Sequence, residues 1–514
     1  MDKKFFIGVD IGGTHTDAIL MDGEEKILQT VKTTTTEDIS EGFKTAIARL
    51  LEKAQILSHE VGGVCVGTTH ATNALLQKRD LYKAGVIRIA GHMPTTLPVG
   101  FSWPASLREA IVGGFETIAG GWECDGGALT PFSSEAAREA ISRLLDKGVE
   151  SLALVGVFSP LKGEQEREVA EMIRSLAGKD FPVSLSSEIG GIGFIERENS
   201  TLLNASLKRV MRKGFEALQK VCDHLEIVSP LFITQNDGSL MDLQKAVDYP
   251  ILTLAAGPTN SFIGGARLSG RENAIVVDVG GTSTDIGYVK KGFPQRSLNQ
   301  TNIGGVALNF SMPDVLSIAL GGGSIVDLQK MVITPVSVGR ALKREALSFG
   351  GSRLTLTDIA FSLGFLDLPR GKKPTLSQVE AASILEKMQQ LIRSEVIKMQ
   401  GSERGLPVVL VGGGASLLPK SFIDYEIPTH FDVANAYGSA LSEISGSVDK
   451  VVSLSKREET LEALREEARR SAILQGAAPE TVRLVDESIL PYHYVPGQMA
   501  RVWIRCCGKR QLFI

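Results

Sequence analysis

Cysteine and tryptophan are scarce in this chain of 514 residues, which contains five cysteines and three tryptophans. The cysteines show no spacing typical of a metal site. Adjacent Cys506 and Cys507 are more typical of ordinary strand residues than of a vicinal redox pair. These features favour a reduced, cytoplasmic enzyme over a disulfide-stabilised secreted protein.

The chain also lacks a strong excess of positive or negative charge, and it lacks long apolar runs. The net charge of −4 gives no indication of a nucleic acid or an acidic membrane as a partner. No apolar run approaches the roughly 20 residues needed to span a bilayer. The N-terminus passes directly into a predicted strand and shows no signal-peptide cleavage pattern. We therefore expect neither a nucleic-acid nor a membrane partner.

The chain does contain one motif twice. Asp10-Ile11-Gly12-Gly13-Thr14-His15-Thr16-Asp17 returns as Asp278-Val279-Gly280-Gly281-Thr282-Ser283-Thr284-Asp285. Each copy follows an apolar run that predicts a buried strand and precedes a second short strand and a turn. We refer to these predicted hairpins as the first and the second hairpin.

The residue types of the two hairpins indicate a phosphate site. Paired glycines let the backbone approach a bulky anion with free N–H donors, and threonine hydroxyls add further donors. The residues expected at the phosphates are Gly12, Gly13, Thr14, Thr16, Gly280, Gly281, Thr282 and Thr284. Asp10 and Asp278 are expected to act on Mg²⁺ through its waters, or one of them to orient the attacking oxygen. Two purely structural hairpins are the alternative.

This pattern resembles the actin, sugar-kinase and heat-shock-chaperone ATPase superfamily. A third motif supports the resemblance, a predicted strand that runs into Gly412, Gly413 and Gly414. The resemblance implies an α/β fold of two related actin-like (ribonuclease H-like) ATPase domains with ATP in the cleft between them. It also implies that the late glycine turn packs on the adenosine. We expect domains at 1–190 and 191–450, and a small C-terminal α/β appendage at 451–514. In that appendage Leu461, Leu464, Ala468 and Ala472 would share one face of a helix.

Within that superfamily the chain resembles the hydantoinase A/5-oxoprolinase family. The motifs that carry the resemblance are Gly67-Thr68-Thr69-His70-Ala71-Thr72-Asn73-Ala74-Leu75, Glu196-Arg197-Glu198-Asn199-Ser200-Thr201-Leu202-Leu203-Asn204-Ala205, Ala256-Gly257-Pro258 and Leu320-Gly321-Gly322-Gly323-Ser324-Ile325. The family implies that ATP activates the amide oxygen of a cyclic substrate such as a hydantoin or 5-oxoproline. Ring opening or carboxylation follows, often with a B-type partner subunit, and we expect an oligomer. A small-molecule kinase and a non-catalytic nucleotide switch remain the alternatives.

The segment after the predicted strand at 64–66 supplies the candidate substrate residues. Thr68, Thr69 and Asn73 could hold a ring amide, and His70 could transfer a proton to or from a ring nitrogen. The alternative is that a threonine caps the following helix and that His70 satisfies buried backbone groups.

The charged residues Glu196, Arg197 and Glu198 also allow either a substrate-binding role or a structural one. Glu196 and Arg197 either contact substrate or belong to a charged first helical turn, and for Glu198 we favour the helix. The segment 94–131 is long for a connection and predicts a lid. Its Trp103 and Trp122 are more typical of packing that loop down than of contacting substrate.

Overall fold

The computed structural model describes most of the chain in ten ranges: 5–13, 15–35, 39–91, 97–297, 301–310, 312–369, 371–403, 405–419, 425–493 and 497–511. The predicted phosphate ligand Thr14 lies outside them. Among the described helices, none is both long enough and apolar enough to cross a membrane.

The strands of the described residues are β1 (Phe5–Ile11), β2 (His15–Met21), β3 (Ile27–Thr34), β4 (Val61–Thr68), β5 (Ala84–Ile89), β6 (Val112–Ile118), β7 (Ser151–Gly156), β8 (Val183–Leu185), β9 (Leu231–Thr234), β10 (Leu240–Asp242), β11 (Ala274–Val279), β12 (Thr284–Lys290), β13 (Phe293–Pro294), β14 (Thr301–Ile303), β15 (Val306–Leu308), β16 (Val315–Ile318), β17 (Ser324–Asp327), β18 (Val332–Ser337), β19 (Val408–Val411), β20 (Tyr425–Glu426), β21 (Ile444–Ser453), β22 (Arg483–Pro491) and β23 (Met499–Gly508).

The helices of the same residues are α1 (Ile39–Ala54), α2 (His70–Gln77), α3 (Ala105–Ile111), α4 (Ser134–Asp146), α5 (Glu164–Ala177), α6 (Phe194–His224), α7 (Leu243–Asp248), α8 (Ala256–Leu268), α9 (Leu342–Glu345), α10 (Leu356–Ser362), α11 (Gln378–Gln400), α12 (Ala434–Leu441) and α13 (Arg457–Leu474).

Both predicted hairpins form, and their surroundings repeat. In the first, β1 pairs antiparallel with β2 and parallel with β4. In the second, β11 pairs antiparallel with β12 and parallel with β19. Each hairpin belongs to its own sheet, one of nine strands and one of six among the described residues. The local architecture is therefore duplicated, as the repeated sequence motif predicts.

The C-terminal strands extend the sheet of the first hairpin. That sheet runs in the order β22-β23-β21-β10-β9-β4-β1-β2-β3, so strands from the beginning, the middle and the end of the chain lie side by side. The apolar face predicted for α13 is confirmed, because Leu461, Leu464, Ala468 and Ala472 are buried. The division into 1–190, 191–450 and 451–514 stays a prediction.

Helices α8 and α12 cross between the two sheets. Phe262 and Ala266 of α8 pack with Val276 and Val289 of the second sheet, whereas Ala436 and other residues of α12 pack on β1 and β2. A Cβ on Gly264 would lie 1.9 Å from the Ala434 carbonyl oxygen, and one on Gly438 would lie 1.9 Å from that of Asn260. The helix backbones therefore touch directly, which only glycine permits at these two positions.

A separate four-stranded sheet, in the order β6-β5-β7-β8, lies beside the first. It corrects one prediction, because the segment 94–131 contains α3 and β6 rather than an unstructured lid. The packing role favoured for Trp103 is confirmed. Its ring is buried, and its indole N–H donates to Asn199 Oδ1 at 2.8 Å.

Candidate active site

The two hairpins face each other across a cleft of about 460 Å³. Both hairpins, the loops at 322 and 339–343, and the turn at 412–417 line it. Its titratable lining residues are Asp10, His15, Asp17, Lys32, Asp278, Arg340, Lys343 and Asp432. Strands from both sheets end at this cleft, which is where open α/β sheets place their ligands.

The strand register places the aspartates of each hairpin side by side. Asp10 is paired with Asp17 across β1 and β2, and Asp278 is paired with Asp285 across β11 and β12. Directly paired residues on neighbouring strands point to the same face, and like charges there repel. Each hairpin thus presents two carboxylates on one face.

Burial controls the ionisation of these carboxylates. It raises the pKa of Asp10 well above its usual value, and the negative charges of Asp17 and Asp278 raise this pKa further. Burial also raises the pKa of Asp17 and that of Asp285 to about 6 each, and it raises the pKa of Asp278. A cation bound among these groups would relieve both the desolvation and the repulsion.

Asp10 is held at one oxygen only. Its Oδ2 accepts a hydrogen bond of 2.7 Å from Asn435 Nδ2 at the start of α12. Its Oδ1 is buried and has no hydrogen-bond partner among the described residues. Lys32 on β3 supplies a nearby positive charge, with its Nζ 3.2 Å from Asp17 Oδ1. The sequence reasoning missed Asn435 and Lys32.

The paired glycines form two matching turns. Gly12 N–H donates to the His15 carbonyl at 3.0 Å, and Gly280 N–H donates to the Ser283 carbonyl at 2.9 Å. Gly13 and Gly281 are exposed at the hairpin tips, and a Cβ on either would contact nothing within 4 Å. The tips are therefore open to a ligand, as a phosphate cradle requires.

Two predicted phosphate ligands point away from the cleft, which corrects their assignment. Thr16 is buried, and its hydroxyl lies 3.1 Å from that of Thr35. Thr284 is also buried and donates to the Leu320 carbonyl at 2.6 Å. Thr16 is adjacent to Asp17, which lines the cleft, and Thr284 is adjacent to Asp285, the cross-strand partner of Asp278. Neighbouring strand residues point to opposite faces. Thr282, in contrast, is exposed at the tip of the second hairpin.

The late glycine turn reaches the second hairpin. Gly412 follows β19 with φ of +82°, and a Cβ there would lie 2.0 Å from Asp278 Oδ1. Gly412, Gly413 and Gly414 all line the cleft. Only glycine combines this backbone conformation with such a close approach.

The segment after β18 carries two further cations into the cleft, and the sequence reasoning identified neither of them. Arg340 Nε donates to the carbonyl oxygen of Gly13 on the first hairpin, and Lys343 lines the same cavity. Together with Lys32, they bring three cationic side chains into the lining of the cleft. Such charge complements phosphates.

The predicted substrate residues at the end of β4 lie beside the first hairpin but do not line the cleft. The Thr69 hydroxyl donates to the Ile11 carbonyl at 3.4 Å, and Asn73 Nδ2 donates to Thr69 Oγ1 at 3.1 Å. The Thr68 hydroxyl accepts from His70 N–H at 3.0 Å at the start of α2. The N-cap residue of α2 is Thr69, and its side chain makes no capping hydrogen bond, so the roles of these threonines stay predictions.

His70 packs against helix α6. A Cβ on Gly214 would lie 3.2 Å from His70 Cδ2. Burial lowers the pKa of the imidazole, which favours its neutral form. This placement does not bring His70 to Asp10 or Asp278, so the three predicted catalytic residues do not form one cluster.

Glu196 and Arg197 do not line the cleft either. Arg197 is buried and donates to the carbonyl oxygens of Gly191 at 2.8 Å and Ile192 at 2.7 Å. Glu196 lies partly buried in the first turn of α6. The next residue, Glu198, forms a buried ion pair with Arg88 in which Nη2 and Oε1 are 2.7 Å apart. These contacts tie the start of α6 to its surroundings, and the substrate role of Glu196 and Arg197 stays a prediction.

The carboxylates fit a magnesium ion that keeps most of its waters. Among the described residues, no three His, Cys, Asp or Glu side chains converge as a complete metal site. Magnesium bound with a nucleotide typically takes only one or two carboxylates together with phosphate oxygens and water. Asp10, with one oxygen unpartnered, and Asp278 across the cleft have this character.

Two related domains that face each other across one cleft define an actin-like ATPase fold. Residues 6–177 match the hydantoinase/oxoprolinase N-terminal region, and residues 197–399 match the hydantoinase/oxoprolinase family. The two matches together cover most of the sequence. The chain belongs to the hydantoinase/oxoprolinase family.

Curated relatives are similar at the sequence level. The chain is 27% identical over 433 residues to the acetophenone carboxylase gamma subunit of Aromatoleum aromaticum, covering 76% of this chain and 58% of that protein. It is 26% identical to caprolactamase subunit alpha of Pseudomonas jessenii, covering 71% and 55%. It is 26% identical to 5-oxoprolinase 1 of Arabidopsis thaliana, covering 71% and 32%. The chain thus spans little more than half of the first two and about a third of the last.

Solved structures share the fold over almost the whole chain. The ATP-dependent caprolactamase of Pseudomonas jessenii superposes with a TM-score of 0.76 at 20% identity, covering 98% of this chain and 87% of that one. Nucleotide-free acetone carboxylase superposes with a TM-score of 0.70 at 16% identity, covering 99% and 88%. The predicted α/β fold of two related ATPase domains is confirmed.

Proposed function

We propose that the chain binds Mg-ATP between the two hairpins and uses it to open a cyclic amide. The paired aspartates facing each other across a cleft with glycine tips carry this proposal, together with Lys32, Arg340 and Lys343. That arrangement supplies N–H donors and cations for phosphates and carboxylates for a metal. Only a ligand that brings both phosphates and a metal uses all of these groups.

The proposed roles follow from position. The N–H groups of the hairpin tips and the three cations hold the phosphates. Asp10 and Asp278 hold magnesium waters, and Asn435 fixes the orientation of the Asp10 carboxylate. The turn from Gly412 to Gly414 lies where it can pack on the adenosine.

The reaction class rests on chemistry and on the relatives. An amide is a poor electrophile. When bound, the nucleotide would supply a phosphoryl group to the amide oxygen, which makes the amide carbon electrophilic. Water would then add to that carbon, the ring C–N bond would break as the nitrogen takes a proton, and hydrolysis of the resulting acyl phosphate would release one phosphate per opened ring. The family match and the names of the caprolactamase and 5-oxoprolinase relatives favour a lactam or hydantoin. We further propose that a B-type subunit completes the enzyme and that Thr69 and Asn73 lie on the substrate side.

Carboxylation is the second candidate, because the acetophenone carboxylase gamma subunit is similar over 76% of this chain. The same phosphoryl chemistry would then activate a substrate oxygen before carbon dioxide is added. Bicarbonate dependence distinguishes the two reactions.

The test measures phosphate release with ε-caprolactam, 5-oxoproline and hydantoin, with and without the B-type subunit. Ring opening predicts free phosphate in proportion to opened product without added bicarbonate. A stable phosphorylated product in phosphorus NMR would identify a kinase, and incorporation of labelled bicarbonate would identify a carboxylase. Nucleotide binding without phosphate release under any of these conditions would favour the nucleotide switch.

A further inference from the structure

A second cavity, of about 500 Å³, lies between the hairpin β12–β13 and the strands β22–β23. We call it the seam pocket. Its charged lining residues are Lys290, Lys291, Arg296, Arg483, Asp486 and Arg505. None of them lines the nucleotide cleft, so the seam pocket is a separate site.

The seam pocket carries excess positive charge. Three of its cations have carboxylate partners that do not line it: Lys290 with Glu403 at 3.8 Å, Arg483 with Glu443 at 2.8 Å and Arg505 with Asp237 at 3.2 Å. Lys291 and Arg296 form no ion pair within the described parts of the chain. Asp486 is the one acid in the lining. An anion entering the pocket therefore meets two cations that have no described carboxylate within 4 Å, although Asp449 and Asp486 attract Arg296 from farther away.

Aromatic stacking fixes two guanidinium groups at the pocket. The guanidinium carbon of Arg296 lies 4.2 Å from the centre of the Trp503 ring, and that of Arg505 lies 5.4 Å from it. Arg505 also lies 5.0 Å from the centre of the Phe293 ring. Stacking restricts both side chains before any ligand arrives, which lowers the entropic cost of binding.

Arg505 has a donor that the fold leaves unsatisfied. The residue is only 3% exposed, and its Nη1 donates to the Asp237 carbonyl at 2.7 Å. Its buried Nε has no hydrogen-bond partner among the described residues. A buried donor without an acceptor is costly, and an oxyanion in the pocket would supply that acceptor.

We propose that the seam pocket binds a small oxyanion, a carboxylate or a phosphate, through Arg296 and Arg505, with Lys291 adding charge. Guanidinium groups match the planar oxygens of such anions. The limited volume favours a small molecule over a segment of another protein. Because Arg296 follows β13 and Arg505 lies on β23, the bound anion joins the second sheet to the C-terminal strands.

The experiment is calorimetric titration of the full chain with inorganic phosphate and, separately, with succinate at constant ionic strength. The test variant is Arg296→Gln. Its matched control is Arg271→Gln, which removes a half-exposed arginine paired with Glu426 outside the seam pocket. A third variant, Arg340→Gln, shows whether an anion binds in the nucleotide cleft instead, because Arg340 lines that cleft and not the seam pocket.

We expect saturable binding that weakens about tenfold or more in Arg296→Gln, because a charge-assisted hydrogen bond is lost. Arg271→Gln should retain wild-type affinity for both anions, whereas Arg340→Gln should lose only the phosphate that binds in the nucleotide cleft and keep the binding that depends on Arg296. If only phosphate binds, the pocket is selective for phosphates, and if only succinate binds, it is selective for carboxylates. If Arg296→Gln does not fold, Lys291→Asn replaces it, since asparagine tolerates the φ of +53° at this position.

Three results would overturn the proposal. The first is the absence of saturable binding of either anion to the wild-type chain. The second is wild-type affinity in both Arg296→Gln and Lys291→Asn. The third is loss of binding in Arg340→Gln alone, which would place the anion in the nucleotide cleft.

Discussion

At the scale of single residues, Asp10 shows how the site is built. Asn435 occupies one of its oxygens and leaves the other buried without a partner among the described residues. Burial together with the charges of Asp17 and Asp278 makes ionisation of this carboxyl costly. A residue held in this way is poised for a metal, because a cation supplies the missing partner and removes the electrostatic penalty.

Asp10→Asn should reduce the rate of ATP turnover by about 100-fold or more while leaving the fold intact. Asparagine keeps the shape and removes the charge, so thermal stability should be unchanged or higher. Phosphate release and thermal unfolding measure the two effects.

The double variant Asp10→Asn/Asp278→Asn tests whether the two carboxylates act as a unit. It should be little worse than either single variant if both serve one metal. Near-normal turnover in either folded single variant would refute the paired-carboxylate site.

The pKa values of Asp17 and Asp285 predict the pH dependence of stability without ligand. Both are about 6 in the folded protein, against an ordinary value of 3.8. A raised carboxyl pKa penalises the folded state above pH 6, and the penalty disappears as the pH falls towards 4. The free energy of unfolding should therefore gain about 1 kcal/mol per carboxyl between pH 7 and pH 5.

Chemical denaturation across this pH range measures the effect. The variant Asp17→Asn/Asp285→Asn serves as the control, because it removes both groups. A pH dependence in this variant equal to that of the wild type would show that other groups are responsible.

The sequence contains enough information to predict part of this site. If Asp10 faces the cleft, the pairing of the two hairpin strands places Asp17 beside it. Because side chains alternate between the two faces of a strand, Thr16 must then point away from the cleft. The prediction that Thr16 and Thr284 bind phosphate does not agree with this alternation of side chains. Asn435, in contrast, lies more than 400 residues from Asp10, and no local pattern connects them.

At the scale of elements, the crossing of α8 and α12 depends on glycine. Gly264→Ala places a Cβ 1.9 Å from the Ala434 carbonyl oxygen, so the helices must separate. We expect it to destabilise the protein by about 1–3 kcal/mol and to weaken nucleotide binding without contacting the nucleotide. Thermal unfolding and nucleotide titration measure both.

Gly257→Ala is the matched control on the same helix. Its Cβ would meet Thr69 Cγ2 at an ordinary 3.5 Å, and alanine favours helix over glycine by up to about 1 kcal/mol. Its stability should equal or exceed that of the wild type. Similar losses in both variants would show that close packing at Gly264 is not the cause.

Elements differ in how far the sequence predicts them. The hairpins follow from apolar runs and turn residues and α13 follows from helical periodicity, since these patterns are local. The pairing of β21 with β10 and β23 in the first sheet depends on contacts between residues far apart in sequence. Periodicity identifies such strands but not their neighbours.

At the scale of the whole molecule, Arg340 contacts the first hairpin from a segment that follows the second. Arg340→Gln should raise the KM for ATP about tenfold, because it removes a cation from the hairpin tip. The effect on kcat should be smaller. Steady-state phosphate release measures both constants.

Arg344→Gln provides the matched control for that variant. Arg344 lies four residues farther along the same segment and pairs with Glu345 at 3.1 Å, and it does not line the cleft. An unchanged KM in Arg340→Gln, or an equal rise in both variants, would exclude a specific role for Arg340.

The glycine crossing has a mechanical consequence. Three residues before Gly438, Asn435 holds Asp10, and three residues before Gly264, Ser261 lies beside Asp278. The two helices touch along one turn each, from Asn260 to Gly264 and from Ala434 to Gly438, so a movement that draws the hairpins together is expected to shift the far ends of both helices as well. Those ends, near Arg267 and Leu441, border a cavity that shares Lys291 and Arg483 with the seam pocket. Closing one side of the molecule on a ligand is therefore expected to change the shape of the other.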